Sequence, residues 1–306
     1  MKFNKKTFVV PSGTNFEESV IVTKGDAVIA DRTFLNYGII TDKRIFVGER
    51  VKINGMLCAK DDIRIDMWSE IMGDVLGAQD IYLADKVKVL GKVSAGKDFD
   101  VGDNVSIEKG FEAKGWVNIR SPIPLVIYIF IYILELLRQG RSKEVDAILD
   151  ELEASKGENY FMISDEFFFL PRDSIVTQDR VKIIGSCRVG NRCRITGNFY
   201  VTGNVRIGAG TEFYGSLKAG GDVEAGSKVI FHGDLECKGN LKLGSLAQVI
   251  GNVTCGSVEL FRSAIIQGTL RAQNYVRFRT PYDDVLKEKV ERFKLGVDST
   301  ENILGI

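Results

Sequence analysis

The chain has 306 residues and a net charge of zero, because 41 basic residues balance 41 acidic ones. The charges are spread along the sequence, which leaves no basic face and excludes nucleic-acid binding as a main function. His232 is the single histidine, so a three-histidine metal site cannot form within one chain, and we predict no metal site and no cofactor.

The first predicted element is a run of short strands from Ile21 to Ile119, marked by apolar pairs at i and i+2 that recur every six residues. Such a pair predicts a strand with one buried face, because side chains alternate across a strand. Six residues are too few for a strand, a turn and a return, so each hexad is one strand plus a bend. Gly55, Gly73 and Gly91 lie 18 residues apart. They indicate β-helix coils of about 18 residues, with glycine at a corner where we expect a positive φ.

The segment 122–160 interrupts this period. Residues 125–137 are apolar apart from two tyrosines and Glu135, and Gly140 follows at a position typical of a helix end. The alternation of isoleucine with aromatic residues would also fit a strand buried on both faces. We favour a helix over 125–137 and a second one over 143–154, where apolar residues recur at helical spacing.

The predicted helix over 125–137 has 13 residues, whereas a membrane-spanning helix needs about 20. We therefore expect a buried cap or interdomain helix. A subunit interface and a helix lying on a membrane surface stay open as alternatives. The candidate interface residues are Leu125, Ile127, Phe130, Ile131, Leu134 and Leu137.

The strand period resumes at Ile175. Its predicted inward pairs include Val205/Ile207, Thr211/Phe213, Leu217/Ala219, Val223/Ala225, Val229/Phe231, Leu235/Cys237, Leu241/Leu243, Ala247/Val249 and Val253/Cys255. The glycine pattern of the first run returns 160 residues later, and the offset becomes 159 after Gly96 and Gly256. The sequence therefore indicates a tandem duplication.

The predicted architecture is an all-β solenoid of two tandem β-helix domains with a helical insert and helical caps. The first β-helix covers 8–121, the helical insert or linker 122–160 and the second β-helix 167–280. Residues 281–306 form a C-terminal amphipathic helix and tail, with an apolar stripe over 283–295 that we expect to cap the second β-helix.

The sequence offers little catalytic chemistry. Four of the five cysteines, Cys187, Cys193, Cys237 and Cys255, fall on predicted inward positions, where a thiol acts as a small hydrophobic group. This indicates a reducing, cytoplasmic environment. His232 is predicted to point outward. It could serve as a general base in acyl transfer, but we favour a solvated surface histidine. We assign no catalytic residue.

Two stretches of the second run carry a family resemblance. They are Ala247-Gln248-Val249-Ile250-Gly251-Asn252-Val253-Thr254-Cys255 and Val258-Glu259-Leu260 continuing through Ala264-Ile265-Ile266-Gln267-Gly268-Thr269-Leu270. They resemble the bactofilin family, over about 175–280 and less closely over 21–119. The resemblance implies right-handed β-helices that polymerise end to end as cytoskeletal proteins. This chain differs from the family in having two β-helices and helical appendages.

We expect a non-enzymatic, polymer-forming scaffold that self-associates through its β-helix ends or through the apolar helix. One alternative is a hexapeptide-repeat acyltransferase, since a six-residue period also occurs in that left-handed fold. Those enzymes prefer a small residue before the aliphatic one, whereas Leu57/Ala59 and Val93/Ala95 have the reverse order. The other alternative is a cytoplasmic adaptor that makes peripheral contact with a membrane surface.

Overall fold

The computed structural model describes residues 6–119 and 166–279. In these two ranges every regular element is a short β-strand and there is no helix, which confirms the predicted all-β solenoid. No helix capable of crossing a membrane is found among the described residues. The helices expected over 125–137, 143–154 and 283–295, including the proposed insert and caps, lie outside the described residues.

The strands follow one another with only short bends between them. Those of the first described range are β1 (Thr7–Val10), β2 (Asn15–Phe16), β3 (Val20–Thr23), β4 (Asp26–Ile29), β5 (Phe34–Leu35), β6 (Gly38–Thr41), β7 (Ile45–Val47), β8 (Lys52–Ile53), β9 (Leu57–Ala59), β10 (Ile63–Ile65), β11 (Glu70–Ile71), β12 (Val75–Gly77), β13 (Ile81–Leu83), β14 (Lys88–Val89), β15 (Val93–Ala95), β16 (Phe99–Val101), β17 (Ser106–Ile107), β18 (Phe111–Ala113) and β19 (Val117–Ile119). Those of the second range are β20 (Phe167–Leu170), β21 (Ile175–Val176), β22 (Arg180–Ile183), β23 (Ser186–Val189), β24 (Arg194–Thr196), β25 (Asn198–Val201), β26 (Val205–Ile207), β27 (Glu212–Tyr214), β28 (Leu217–Ala219), β29 (Val223–Ala225), β30 (Ile230–Phe231), β31 (Leu235–Cys237), β32 (Asn240–Leu243), β33 (Gln248–Val249), β34 (Val253–Cys255), β35 (Ser257–Phe261), β36 (Ile265–Ile266), β37 (Leu270–Ala272) and β38 (Val276–Arg279).

The chain divides into two compact units that exchange their first coils. We call Ser19–Asp173 the N-solenoid, and Met1–Glu18 together with Ser174–Ile306 the C-solenoid. Within the N-solenoid, β20 pairs in parallel with β4. Within the C-solenoid, β1 pairs in parallel with β23. Each of the two described ranges therefore contributes its first strand to the unit that is formed mainly by the other range.

Each solenoid has three faces on which successive coils stack as parallel strands. In the N-solenoid, face I has the order β19-β16-β13-β10-β7-β4-β20, face II is β17-β14-β11-β8-β5 and face III is β18-β15-β12-β9-β6-β3. In the C-solenoid, face I has the order β1-β23-β26-β29-β32-β35-β38, face II is β2-β24-β27-β30-β33-β36 and face III is β22-β25-β28-β31-β34-β37. β21 is an exception, since it pairs with β22 in the antiparallel direction. Stacked partners such as Val205 and Val223 are 18 residues apart, which confirms the predicted coil length.

The core is a set of columns formed by the inward residues of successive coils. Every inward pair predicted from Val205/Ile207 to Val253/Cys255 is buried, with no side chain more than 4% exposed. Phe199, Phe213 and Phe231 stack along the interior of the C-solenoid, with ring centroids 4.9 and 5.8 Å apart. Burial of each large apolar side chain contributes roughly 1.5–3 kcal/mol to folding, so the repeated columns hold the coils together.

Aspartate and asparagine side chains connect successive coils at the corners. In the N-solenoid, the backbone N–H of Asp80 donates to Asp62 Oδ1 at 3.2 Å. In the C-solenoid, the N–H of Asp222 donates to Asn204 Oδ1 at 2.9 Å. Corner N–H groups lie beyond the ends of the strand ladders and need another acceptor. Because only an acceptor oxygen is required, an uncharged asparagine can accept this hydrogen bond as well as an aspartate does.

The positive φ expected at the corner glycines is found in the C-solenoid at Gly197 and Gly215, at 98° and 146°. In the N-solenoid the expectation is wrong, because the corner glycines are required there by close approach of the coils. The φ angles of Gly73 and Gly91 lie outside the left-handed region, but a Cβ on Gly91 would be 2.3 Å from the carbonyl oxygen of Gly73. Positive φ occurs in another column, which includes Arg50, Trp68 and Lys86 at 53°, 57° and 60°. The guanidinium of Arg50 lies 4.9 Å from the Trp68 ring centroid and favours the stacking of these turns.

Candidate assembly interface

The last described coil of the N-solenoid leaves its inward side chains uncovered. Phe111 and Val117 continue the columns of Val93 and Phe99 from the coil before. Val93 and Phe99 are 0% exposed, whereas Phe111 is 49% and Val117 is 41% exposed. Ile119, at the end of β19, is 71% exposed. The apolar core therefore continues into this coil and reaches solvent there.

The last described coil of the C-solenoid also leaves its inward side chains exposed. Val276 and Phe278 continue the columns of Val258 and Leu260. Val258 and Leu260 are buried, whereas Val276 is 44% and Phe278 is 60% exposed. Each solenoid thus has one coil whose core-facing side chains are exposed and whose neighbours among the described residues lie in the coil before it.

The two last coils also present the outermost described strands of face I. β19 is held to β16 by bonds such as Phe99 N–H to Trp116 carbonyl oxygen at 2.8 Å. β38 is held to β35 in the same way, for example by Val258 N–H to Tyr275 carbonyl oxygen at 2.9 Å. An outermost strand with apolar side chains is a template for pairing with another strand. These coils can therefore extend both their apolar columns and their hydrogen-bond ladders.

One ion pair near the N-solenoid end forms within the solenoid. Lys92 Nζ lies 2.6 Å from Glu112 Oε2, and Ser94 Oγ donates to Glu112 Oε1 at 2.9 Å. The hydrogen bond from Lys92 lowers the pKa of the Glu112 carboxyl. The charges of Lys92 and Glu112 are therefore balanced within the solenoid.

The sequence does carry a pattern that marks these end residues. Trp116-Val117-Asn118-Ile119 and Tyr275-Val276-Arg277-Phe278 occupy equivalent places at the ends of the two runs. The sequence analysis instead selected Leu125, Ile127, Phe130, Ile131, Leu134 and Leu137. These six residues lie outside the described residues, so that interface stays a prediction.

His232 lies on the surface, as its alternation predicted. Its ring stacks on Tyr214 with centroids 4.3 Å apart and an angle of 8° between the planes. Tyr214 Oη donates to Glu212 Oε2 at 2.6 Å, which raises the pKa of the tyrosine. The guanidinium carbon of Arg194 lies 5.0 Å from the centroid of the Tyr214 ring. The ring of His232 thus takes part in an ordinary column of outward side chains.

The predicted inward cysteines are buried. Burial raises the pKa of the Cys187 thiol to about 12. The pKa of the Cys237 thiol is raised to about 12, mainly by burial and to a smaller extent by the neighbouring Cys255. These thiols are protonated at neutral pH and act as core groups. Within residues 6–119 and 166–279, no cluster of three or more His, Cys, Asp or Glu side chains could hold a metal ion.

Comparison with curated proteins and with solved structures gives no match. One family model does match: Bactofilin, described as polymer-forming cytoskeletal, covers residues 174–273. The matched stretch is 100 of the 306 residues (273 − 174 + 1) and falls within the C-solenoid. The resemblance inferred from Ala247 onward is thereby confirmed, and this part of the chain is similar to a family of structural, polymer-forming proteins.

Proposed function

We propose that the protein is a non-enzymatic scaffold that polymerises through the open last coils of its two solenoids. The observation that carries this proposal is the exposure of core-facing side chains at both places, such as Ile119 at 71% and Phe278 at 60%. The match of residues 174–273 to a polymer-forming family supports it. The buried, free thiols support a cytoplasmic setting.

The energetics favour association at these coils. Burial of a large apolar side chain contributes about 1.5–3 kcal/mol, and each end offers several such side chains. Association must offset an entropic cost of about 4–15 kcal/mol. Apolar burial combined with new hydrogen bonds along β19 or β38 can exceed the lower part of that range. We therefore expect assembly that depends on protein concentration.

Two open ends on one chain determine the kind of assembly. A molecule with a single self-complementary patch stops at a closed dimer, whereas a molecule with two patches can add a neighbour at each. Assembly through both ends therefore gives a linear polymer, whichever end meets which. This is the behaviour expected of a cytoskeletal scaffold.

The test is the molar mass in solution, measured by light scattering after size exclusion over a range of concentrations. The double variant Val276→Ser/Phe278→Ser should shift the onset of assembly to at least tenfold higher concentration. Arg277→Ser, the outward residue between them, is the matched control and should assemble like the parent. A parent chain that stays monomeric at every concentration would contradict the proposal.

A further inference from the structure

The last described coils of the two solenoids differ in charge. We call residues 102–119 the N-end and residues 262–279 the C-end. The N-end contains three acidic residues and two lysines, so its net charge is −1. The C-end contains four arginines and no acidic residue, so its net charge is +4. Both ends expose apolar core-facing side chains, and charge is therefore what distinguishes one end from the other.

The charges differ at equivalent positions of the two ends. The 159-residue offset between the two runs places Asp103 over Arg262 and Glu112 over Arg271. Glu112 and Arg271 are the middle residues of β18 and β37, which are the last described strands of face III in their solenoids. The N-end therefore has an acidic side chain at two places where the C-end has an arginine.

The C-end keeps most of its positive charge, because the coil before it supplies little negative charge. The stacked neighbours of the arginines on β37 and β38 are Thr254 for Arg271, Glu259 for Arg277 and Phe261 for Arg279. One of these three neighbours is acidic. A second C-end brought against this one would therefore meet a surface of the same charge.

The N-end has carboxylates that can accept further hydrogen bonds. Lys92 Nζ donates to Glu112 Oε2 at 2.6 Å, and the uncharged Ser94 hydroxyl donates to Glu112 Oε1 at 2.9 Å. A carboxylate oxygen has two lone pairs, so Oε1 can also accept an arginine N–H. At the neighbouring corner, the Asp103 N–H donates to Asp85 Oδ1 at 2.8 Å, which places two aspartates together. The N-end is therefore suited to a partner that brings arginine.

The direction of the strands determines which side chains meet. Two last coils that face each other run in opposite senses, so strands of face III that meet across the contact are antiparallel. Side chains directly opposite in an antiparallel pair interact, and like charges there are destabilising. Two C-ends would bring Arg271 against Arg271, and two N-ends would bring Glu112 against Glu112. An N-end on a C-end brings Glu112 against Arg271.

We propose that the polymer grows through one kind of junction, in which the N-end of one molecule binds the C-end of the next. This inference rests on the proposed function and adds to it the partner of each end. The apolar columns of the two copies join, while Glu112 pairs with Arg271 at the rim. Like-charge contacts disfavour the other two junctions. A heterologous contact that does not close gives an open polymer with a direction.

The test mixes two chains that each retain one open end. Val117→Ser/Ile119→Ser leaves the C-end intact, and Val276→Ser/Phe278→Ser leaves the N-end intact. At the lowest concentration at which the parent polymerises, each variant alone should stay monomeric. An equimolar mixture of the two should double the molar mass measured by light scattering.

The failure of this inference differs from the failure of the proposed function. Dimers formed by either variant alone, or a mixture that stays monomeric, would overturn the N-end to C-end junction while the parent still polymerises. A parent that stays monomeric at every concentration would contradict the proposed function, and this inference with it. Circular dichroism on each variant verifies that the β-fold is retained.

A charge swap gives a second readout. Arg271→Glu should raise the concentration at which assembly begins at least tenfold, and adding Glu112→Arg should restore the parent value. Arg188→Glu is the matched control, because it makes the same change in net charge at an exposed position on β23, five strands before β38 on face I. It should assemble like the parent. A swap that does not restore assembly, or a control that shifts it equally, would overturn the inference.

Discussion

Face I of the N-solenoid and face I of the C-solenoid are alike on the inside and different on the outside. Ile81 and Leu241 occupy equivalent inward positions and are both buried. Their outward neighbours are Tyr82 in one solenoid and Lys242 in the other. Inward residues are constrained by the core of their own coil, which is alike in both solenoids. Outward residues are not constrained by that core, and they differ between the two solenoids.

The largest expected effect tests the similarity of the two interiors. Ile81→Asp and Leu241→Asp should each unfold their own solenoid, because an unpaired buried carboxylate costs several kcal/mol against a total stability of about 5–15 kcal/mol. The measurement is hydrogen exchange resolved by solenoid, with Lys242→Gln as the exposed control. Native protection in both aspartate variants would show that the inward register is wrong.

The next largest expected effect concerns a corner at which the two solenoids have different side chains. In the N-solenoid, Arg44 Nη2 lies 2.6 Å from Oδ2 of the fully buried Asp26. Arg44→Met should destabilise this solenoid by about 3–5 kcal/mol, because a buried carboxylate loses its guanidinium. Asn204→Met at the equivalent place should cost only about 0.5–1.5 kcal/mol, the value of one neutral hydrogen bond. If chemical denaturation showed that the two variants lose similar free energies of unfolding, this distinction between the solenoids would be wrong.

A smaller effect concerns the outward columns. Phe46→Ser should cost the N-solenoid roughly 1–2 kcal/mol, since a half-buried aromatic ring is lost, together with its contact to the Arg44 guanidinium 5.3 Å from its centroid. Arg206→Ser should change stability by less than about 0.5 kcal/mol, as expected for an exposed position. Urea denaturation of the two variants checks the difference. Equal, negligible losses would mean that the N-solenoid face is solvated as well.

The smallest effect is a pH dependence confined to the N-solenoid. Arg32 Nε lies 2.8 Å from Asp173 Oδ1, and this hydrogen bond lowers the pKa of the Asp173 carboxyl. The stabilisation is therefore present above the unfolded pKa of about 3.9 and is lost as pH falls through the lower folded value. Asp173→Asn should lower the unfolding midpoint slightly at pH 6. The difference from the parent should disappear in strong acid, and a difference that grows there would contradict the assignment.

The sequence predicted the interior well because the core accepts only small or apolar side chains at i and i+2. It did not predict the exchange of first coils. Thr7–Val10 and Phe167–Leu170 are both rich in apolar residues and fit either stack, so periodicity cannot decide between β23 and β4 as a partner. Local pattern determines which residues face inward but carries little information about which copy supplies a neighbouring strand.

The outward features were harder to predict for a different reason. The sequence predicts positive φ at the corner glycines, and Gly215 adopts it, whereas Gly91 is required by close packing of the coils. In the N-solenoid, positive φ is adopted by residues such as Arg50 and Lys86. Spacing alone cannot separate these two causes.

The most direct test of polymerisation through both ends is the size of chains that retain one open end. One variant carries Val117→Ser and Ile119→Ser, with Asn118→Ser as its control, and the other carries Val276→Ser and Phe278→Ser. At the lowest concentration at which the parent polymerises, light scattering should find no species above a dimer for either double variant, and only monomers when all four substitutions are combined. Both controls should polymerise like the parent. Continued growth beyond a dimer in either double variant would contradict assembly through two open ends.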